Sequence, residues 1–216
     1  MTIPVGSYIA GRWQGPAGAR TELLNASTAE PVAVIGTDPI DMVPVLDHAR
    51  SVGGPALREM PFHERALALK ALAAHLNGKR DQFYAISSWT GATKRDSFVD
   101  IDGGIGVLFT YASKGRRELP NSTVLVDGPA ERLGKAGQFV GQHIYTPRRG
   151  VALQINAFNF PVWGMLEKLA PAFLAGVPTV VKPASQASYL AGVVVKEIVC
   201  GWSDTAIDCS TCEAAE

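Results

Sequence analysis

The sequence predicts an α/β fold built on a parallel sheet with a surface hairpin, and three observations carry the parallel sheet. Residues 151–155 (VALQI) and 177–181 (VPTVV) are short apolar runs rich in β-formers. The segment between them places apolar residues at helical spacing. Both runs end in polar or turn-forming residues, Asn156 and Asn159 after the first and Lys182-Pro183 after the second. Strand, helix and strand in so short a stretch is the alternation of a parallel sheet, and ligands bind beyond the carboxyl ends of such strands. Asn159 and Lys182 are therefore expected on one rim, where a site is expected too.

The elements follow in order. Phe62, Arg65, Leu69, Leu72 and Leu76 recur at helical spacing, which alone indicates an ordinary amphipathic helix. Residues 123–126 and 138–146 read as two strands around a polar, glycine-containing loop, a surface hairpin on their own terms. Pro161 suits the first position of the central helix, where a missing N–H costs nothing, and Asn159 stands just before it among helix-start residues. Val162, Leu166, Leu169 and Phe173 form one stripe facing the sheet, Pro171 should kink the last turn, and Gly176 should stop the helix. Residues 15–19, 53–55 and 128–129 read as turn punctuation. No repeat, low-complexity segment or interdomain linker is present.

Composition narrows the function classes. Twenty Lys plus Arg balance twenty Asp plus Glu, and 47% of residues are hydrophobic. This leaves no electrostatic footprint for nucleic acid, and Arg116-Arg117 and Arg148-Arg149 read as isolated pairs. No run approaches the ~20 apolar residues that span a membrane, and no basic-then-apolar leader opens the chain. Three cysteines without such a leader fit a reducing cytoplasm, the expected location. Cys209 and Cys212 form a C-x-x-C, but His48, His63, His75 and His143 are scattered and no second pair accompanies it, so no metal site is expected. A Cys-His hydrolase using Cys209 or Cys212 with His143 lacks an orienting group. Gly103-Gly104-Ile105-Gly106 lacks the spacing of a dinucleotide fingerprint and reads as glycines that let a helix pack closely.

Asn159-Phe160-Pro161, then Pro171-Ala172 with Ala175-Gly176, then Val180-Val181-Lys182-Pro183-Ala184 resemble, in order and spacing, the NAD(P)-dependent aldehyde dehydrogenases. Ala157-Phe158 departs from the Pro-Trp that most members carry. The stretch from Gln154 to Gly164 is similar to the branch acting in phenylacetate breakdown, where an aldehyde dehydrogenase domain is fused to an enoyl-CoA hydratase. Under this resemblance the fold is the amino-terminal part of an aldehyde dehydrogenase. Tyr8-Ile9-Ala10-Gly11-Arg12-Trp13 resembles the family's opening hairpin, and the helix from Pro61 its early helix leading to Thr90-Gly91. The resemblance divides the chain into 1–120, part of the cofactor-binding domain; 121–148, an oligomerisation β-arm; 149–199, the first strand-helix-strand; and 200–216, a divergent tail.

The resemblance also implies roles. Aldehyde oxidation in the family needs a cysteine thiolate, an amide for the oxyanion, a glutamate to activate water and a nicotinamide to accept hydride. Asn159 matches the oxyanion-stabilising Asn, whereas the segment alone reads as a helix cap. Lys182 matches the lysine that contacts the cofactor's ribose or phosphate, against the ordinary reading of a solvated lysine beside a turn proline. Ser185 stands where NAD-preferring members often hold a glutamate, which points to NADP over NAD, and Asn156 completes the candidate cofactor contacts. Cys200, Cys209 and Cys212 match no nucleophile position. The expectation is a truncated, inactive piece of a homo-oligomeric enzyme acting on an aldehyde or acyl-CoA semialdehyde; a catalytically silent nucleotide-binding or assembly module is the alternative.

Overall fold

The computed structural model describes residues 2–203. The chain opens with β1 (Ile3–Pro4) and a hairpin of β2 (Ser7–Ile9) and β3 (Arg12–Gln14). Ala10 and Gly11 both take positive φ, 49° and 80°, so a two-residue turn matches the strand twist. Tyr8 pairs with Trp13 across it, with ring centroids 5.1 Å apart. Next, β4 (Arg20–Leu24) runs antiparallel to β5 (Pro31–Gly36), and β1 joins β5 in parallel.

One expected turn is helical instead. Helix α1 (Met42–His48), a π-helical turn (Ala49–Gly53) and α2 (Gly54–Glu59) run on without a break, so Gly53-Gly54-Pro55 is not a turn. Proline lacks an N–H and its ring crowds the carbonyl four residues back. The chain meets this by widening one turn, with the Gly54 N–H donating to the Ala49 carbonyl five residues back.

Two long antiparallel helices follow, α3 (Phe62–Ser87) and α4 (Lys94–Arg117). Gly91, at φ 83°, ends the short 3₁₀ turn between them, and Thr93 with Asp96 closes a capping box on α4. The expected stripe of α3 is buried in full, Arg65 included. The Arg65 guanidinium lies 4.5 Å from the Phe62 ring centroid, and its nitrogens have no hydrogen-bond partner among the described residues. Burial lowers its pKa.

The arm is a two-stranded antiparallel ribbon of β6 (Leu125–Leu133) and β7 (Phe139–Tyr145). Its first strand runs well past the predicted end, because Gly128-Pro129 is absorbed as an irregularity between Asp127 and Glu131 instead of turning the chain. Phe139, Val140, Ile144 and Tyr145 all stand exposed on it.

The parallel unit comes last: β8 (Ala152–Ile155), α5 (Pro161–Leu174), β9 (Thr179–Lys182), a 3₁₀ turn (Ser185–Ala187) and α6 (Ser188–Ser203). Strands β8 and β9 pair in parallel, with Leu153 opposite Val180 and Ile155 opposite Lys182. Gly176 stops α5 at φ 76°; its N–H donates to the Phe173 carbonyl and the Val177 N–H to that of Ala172, each at 2.9 Å. Val162, Leu166 and Leu169 face inward as expected, joined by Met165, Ala170 and Leu174. One core unites α3, α4, α5 and α6 with the covered face of β8 and β9, whereas Leu153 and Ile155 on the other face are 57% and 72% exposed.

The Gly103-Gly104-Ile105-Gly106 run lies inside α4, as the packing reading expects. Only Gly104 meets α5: a Cβ there would sit 3.0 Å from the Trp163 Cα, while Gly103 and Gly106 face open space. Gly104→Val should therefore destabilise by about 1–3 kcal/mol. Gly103→Ala should stabilise by up to about 1 kcal/mol. Urea unfolding followed by circular dichroism checks both signs, and equal responses at the two positions would refute the packing argument.

Candidate functional site

The carboxyl ends of β8 and β9 form the rim that the sequence predicts, tied by the Asn156 N–H donating to the Lys182 carbonyl at 3.1 Å. Four candidate residues occupy it or its continuation. Asn156 ends β8 with its side chain turned to the covered side, 7% exposed, and neither its oxygen nor its nitrogen has a partner among the described residues. Asn159 is exposed in the corner that leads into α5. Lys182 is exposed, with Nζ donating to the Pro183 carbonyl at 3.1 Å. Ser185 opens the 3₁₀ turn ahead of α6; its carbonyl accepts from Ser188 Oγ at 2.8 Å, and its own hydroxyl has no partner among the described residues. The amino ends of α5 and α6 thus both lie just beyond this rim, where helix ends favour anionic groups.

The helix-cap reading of Asn159 does not hold. The cap position is Phe160, with no side-chain cap bond, and the free N–H groups of α5 are taken from across the fold. Asp100, in the second turn of α4, points one carboxylate oxygen at the amino end of α5, where Oδ1 accepts from the Val162 N–H at 3.0 Å and the Trp163 N–H at 2.7 Å. The role of Asp100 is not legible in the sequence. No local pattern marks a cap supplied from more than sixty positions away, although an acid beside Ile101 on a helix containing four glycines was a visible anomaly.

A second polar residue pins the same helix from below. Gln154 is 3% exposed on β8, and with its carboxamide oriented so that nitrogen faces the Met165 carbonyl and oxygen the Leu169 N–H, it donates to the first at 3.3 Å and accepts from the second at 3.2 Å. The side chain thereby bridges strand and helix. Asp100 at the end and Gln154 at the middle fix α5 on the sheet. The Asn159 side chain has no partner among the described residues and takes no part in holding the helix.

Among the described residues no three His, Cys, Asp or Glu side chains gather as a metal site, and no helix is long and apolar enough to cross a membrane. Cys209 and Cys212 lie outside the described residues, so the C-x-x-C and the Cys-His hydrolase pair receive no structural account. His143 sits on β7 in the arm. Cys200 lies on α6, after the last rim residue.

A parallel strand-helix-strand whose rim offers amide, ammonium and hydroxyl groups beside two helix amino ends is the class of site that receives phosphorylated nucleotides. The chain belongs to the aldehyde dehydrogenase family, whose model matches residues 13–200. It is 40% identical over 198 residues to the 3,4-dehydroadipyl-CoA semialdehyde dehydrogenase of Aromatoleum evansii, covering 91% of this chain and 38% of that protein. It is 28% identical over 184 residues to the 3,6-anhydro-alpha-L-galactose dehydrogenase of Vibrio sp. (strain EJY3), covering 83% of this chain and 36% of that one. The chain therefore spans less than two-fifths of these relatives' length. Its fold is similar to that of NADP-dependent glyceraldehyde-3-phosphate dehydrogenase from Bacillus halodurans C-125, with a TM-score of 0.71 at 19% identity, over 93% of this chain and 41% of that one. The likeness to proline utilization A from Bdellovibrio bacteriovorus has a TM-score of 0.76 at 22% identity, over 93% and 20%.

Burial raises the Asp100 carboxyl to about 6, against the pull of the two backbone N–H groups that favour its ionised form. A carboxyl whose folded value lies above its unfolded 3.8 takes up its proton first in the folded state, so this group adds stability as pH falls from about 6 towards 4. The span corresponds to a contribution on the order of 2–3 kcal/mol. Asp100→Asn should remove that pH dependence, so the stability gap between variant and parent should narrow on acidification. Asp100→Ala should cost about 1–3 kcal/mol at neutral pH by stranding two N–H groups, and more on acidification, where the parent gains stability and the variant does not. Thermal melts from pH 4.5 to 8 check this; a constant gap between parent and Asp100→Asn would rule out the assignment.

Proposed function

We propose that this chain carries the cofactor corner and the oxyanion-stabilising amide of an NAD(P)-dependent dehydrogenase that oxidises a CoA-linked semialdehyde to its acid. The observation that carries the reading is the free Asn159 carboxamide: Asp100 caps the helix in its place, so an exposed amide is left at the rim with no structural duty. The substrate class rests on the 40% identity to an enzyme named for a CoA semialdehyde. The similarity of the 154–164 stretch to the phenylacetate branch agrees with a place in aromatic breakdown.

The rim residues fit a phosphorylated dinucleotide. Lys182 supplies a mobile positive charge, Ser185 a neutral hydroxyl, and Asn156 an orphaned buried amide at the strand end. The cofactor, when bound, supplies the hydride acceptor. Lys182 holds ribose or phosphate oxygens; Ser185, carrying no charge, tolerates a 2′-phosphate that a glutamate would repel, which favours NADP. Asn159 donates an N–H to the oxygen that gains negative charge when the aldehyde carbon is attacked. No residue of the matched segment stands at the nucleophile or general-base position, so the 216 residues by themselves bind nucleotide without turnover. The β6–β7 arm, with its exposed apolar side chains, serves assembly.

Calorimetric titration with NADP and NAD tests the cofactor corner. NADP should bind more tightly, and Ser185→Glu should weaken NADP by about tenfold or more while sparing NAD; a strong NAD preference in the parent sequence would overturn the NADP assignment. In the whole protein that carries this segment, Asn159→Ala should lower kcat on a CoA-linked semialdehyde by about a hundredfold or more with cofactor affinity unchanged. An unchanged kcat would return Asn159 to an incidental surface residue.

A further inference from the structure

Arg149, half of a pair that looks isolated in the sequence, is not isolated in space. It lies just ahead of β8 and lines a hollow of about 380 Å³ together with Arg50, Arg58 and Gly150. Arg50 comes from the π-helical turn and Arg58 from the last turn of α2. Positions eight apart on a regular α-helix are offset by about 80° around the axis. The wider π turn between these two advances fewer degrees per residue and reduces that offset, which brings both arginines to one side. Pro55, which forces the widening, thereby helps to shape the hollow.

No carboxylate lines it. Arg50 reaches Asp47 only at 3.9 Å, between two side chains more than half exposed, a pairing of little strength. Arg58 and Arg149 form no ion pair or hydrogen bond among the described residues. Gly150, at φ 142°, leaves its wall without a side chain, and a Cβ there would meet nothing within 4 Å. Three arginines around one hollow, with no carboxylate among its lining residues, concentrate positive charge there, which an anion with several oxygens would offset. Guanidinium forks match phosphate oxygens two at a time, which a cluster of lysines would not do.

We propose that Arg50, Arg58 and Arg149 form a binding site for a phosphate group, presented either by a free inorganic anion or by a phosphorylated nucleotide. It is separate from the rim. The hollow lies at the amino end of β8, and the strand's four residues put roughly 13 Å between that end and Asn156. This assignment does not depend on the dehydrogenase reading, because none of its residues belongs to the cofactor corner.

Calorimetry on the intact protein at low salt, with pyrophosphate and separately with 3′,5′-ADP as probes, tests it. Pyrophosphate should bind at one saturable site, more weakly as salt is raised. The double variant Arg58→Gln, Arg149→Gln should lose about tenfold or more in affinity, while Lys182→Ala should leave pyrophosphate binding unchanged; circular dichroism confirms that each variant is folded. Tighter binding of 3′,5′-ADP, also lost in the double variant, assigns the site to a nucleotide's phosphates; equal affinities assign it to the free anion. Absence of saturable binding, retention of it in the double variant, or its loss in Lys182→Ala would each overturn the proposal.

Discussion

The placement of the rim depends on one carboxylate. Asp100 reaches from the second turn of α4 to the amino end of α5 and accepts two of that helix's free N–H groups on a single oxygen. Those groups would otherwise be buried unsatisfied, at a cost comparable to a lost hydrogen bond each. The bond is possible because Gly104, one turn along α4, lets the backbones of the two helices approach closely. Asp100 and Gly104 are thus parts of one arrangement: the glycine sets the separation and the acid uses it. Gln154 completes it from the sheet side, so α5 is held at its start by α4 and at its middle by β8.

That arrangement carries an electrostatic tension. A negative charge at a helix amino end is favourable, yet this one is 3% exposed, and desolvation outweighs both N–H bonds in setting its proton affinity. Arg65 shows the same tension in the opposite sign, a buried guanidinium whose company is the Phe62 ring. Its NH1 lies close enough to Gly176 that a Cβ there would come within 2.4 Å of it. Gly176 therefore answers two demands at once, the left-handed turn that ends α5 and the room for Arg65.

The parts of this fold that were legible in the sequence are those where local pattern and final environment agree. The strand-helix-strand around α5 is legible because β-formers, helical period, Pro161 and Gly176 all point the same way within 35 residues. The rim positions of Asn159 and Lys182 follow from it. What was illegible depends on contacts distant in sequence or on the chain resolving a local conflict. Asp100 is an ordinary acid until α5 is laid against it. Gly53-Gly54-Pro55 has turn chemistry but lies between two helical segments strong enough to run through it, at the cost of one widened turn. Arg149 looked solitary because its neighbours, Arg50 and Arg58, lie about ninety residues earlier. Gly128-Pro129 sits on an edge strand, where a missing N–H is tolerated, so the ribbon continues past it.

The ambiguity of Asn159 shows why geometry had to follow sequence. An Asn just before a helix is ordinarily its cap, and such a cap is fully occupied: its oxygen binds a backbone N–H and its orientation is fixed by that bond. Such a residue would have little freedom to meet a reacting oxygen. Here the capping duty has passed to a side chain on another helix, and the cap position itself to Phe160, whose ring packs edge-on against Trp163 at 5.8 Å. The corner is thus held by Asp100, Phe160 and Gln154, none of which is needed at the rim. The role proposed for Asn159 needs a donor that does not have to break a bond when charge develops, and an amide released from capping meets that requirement.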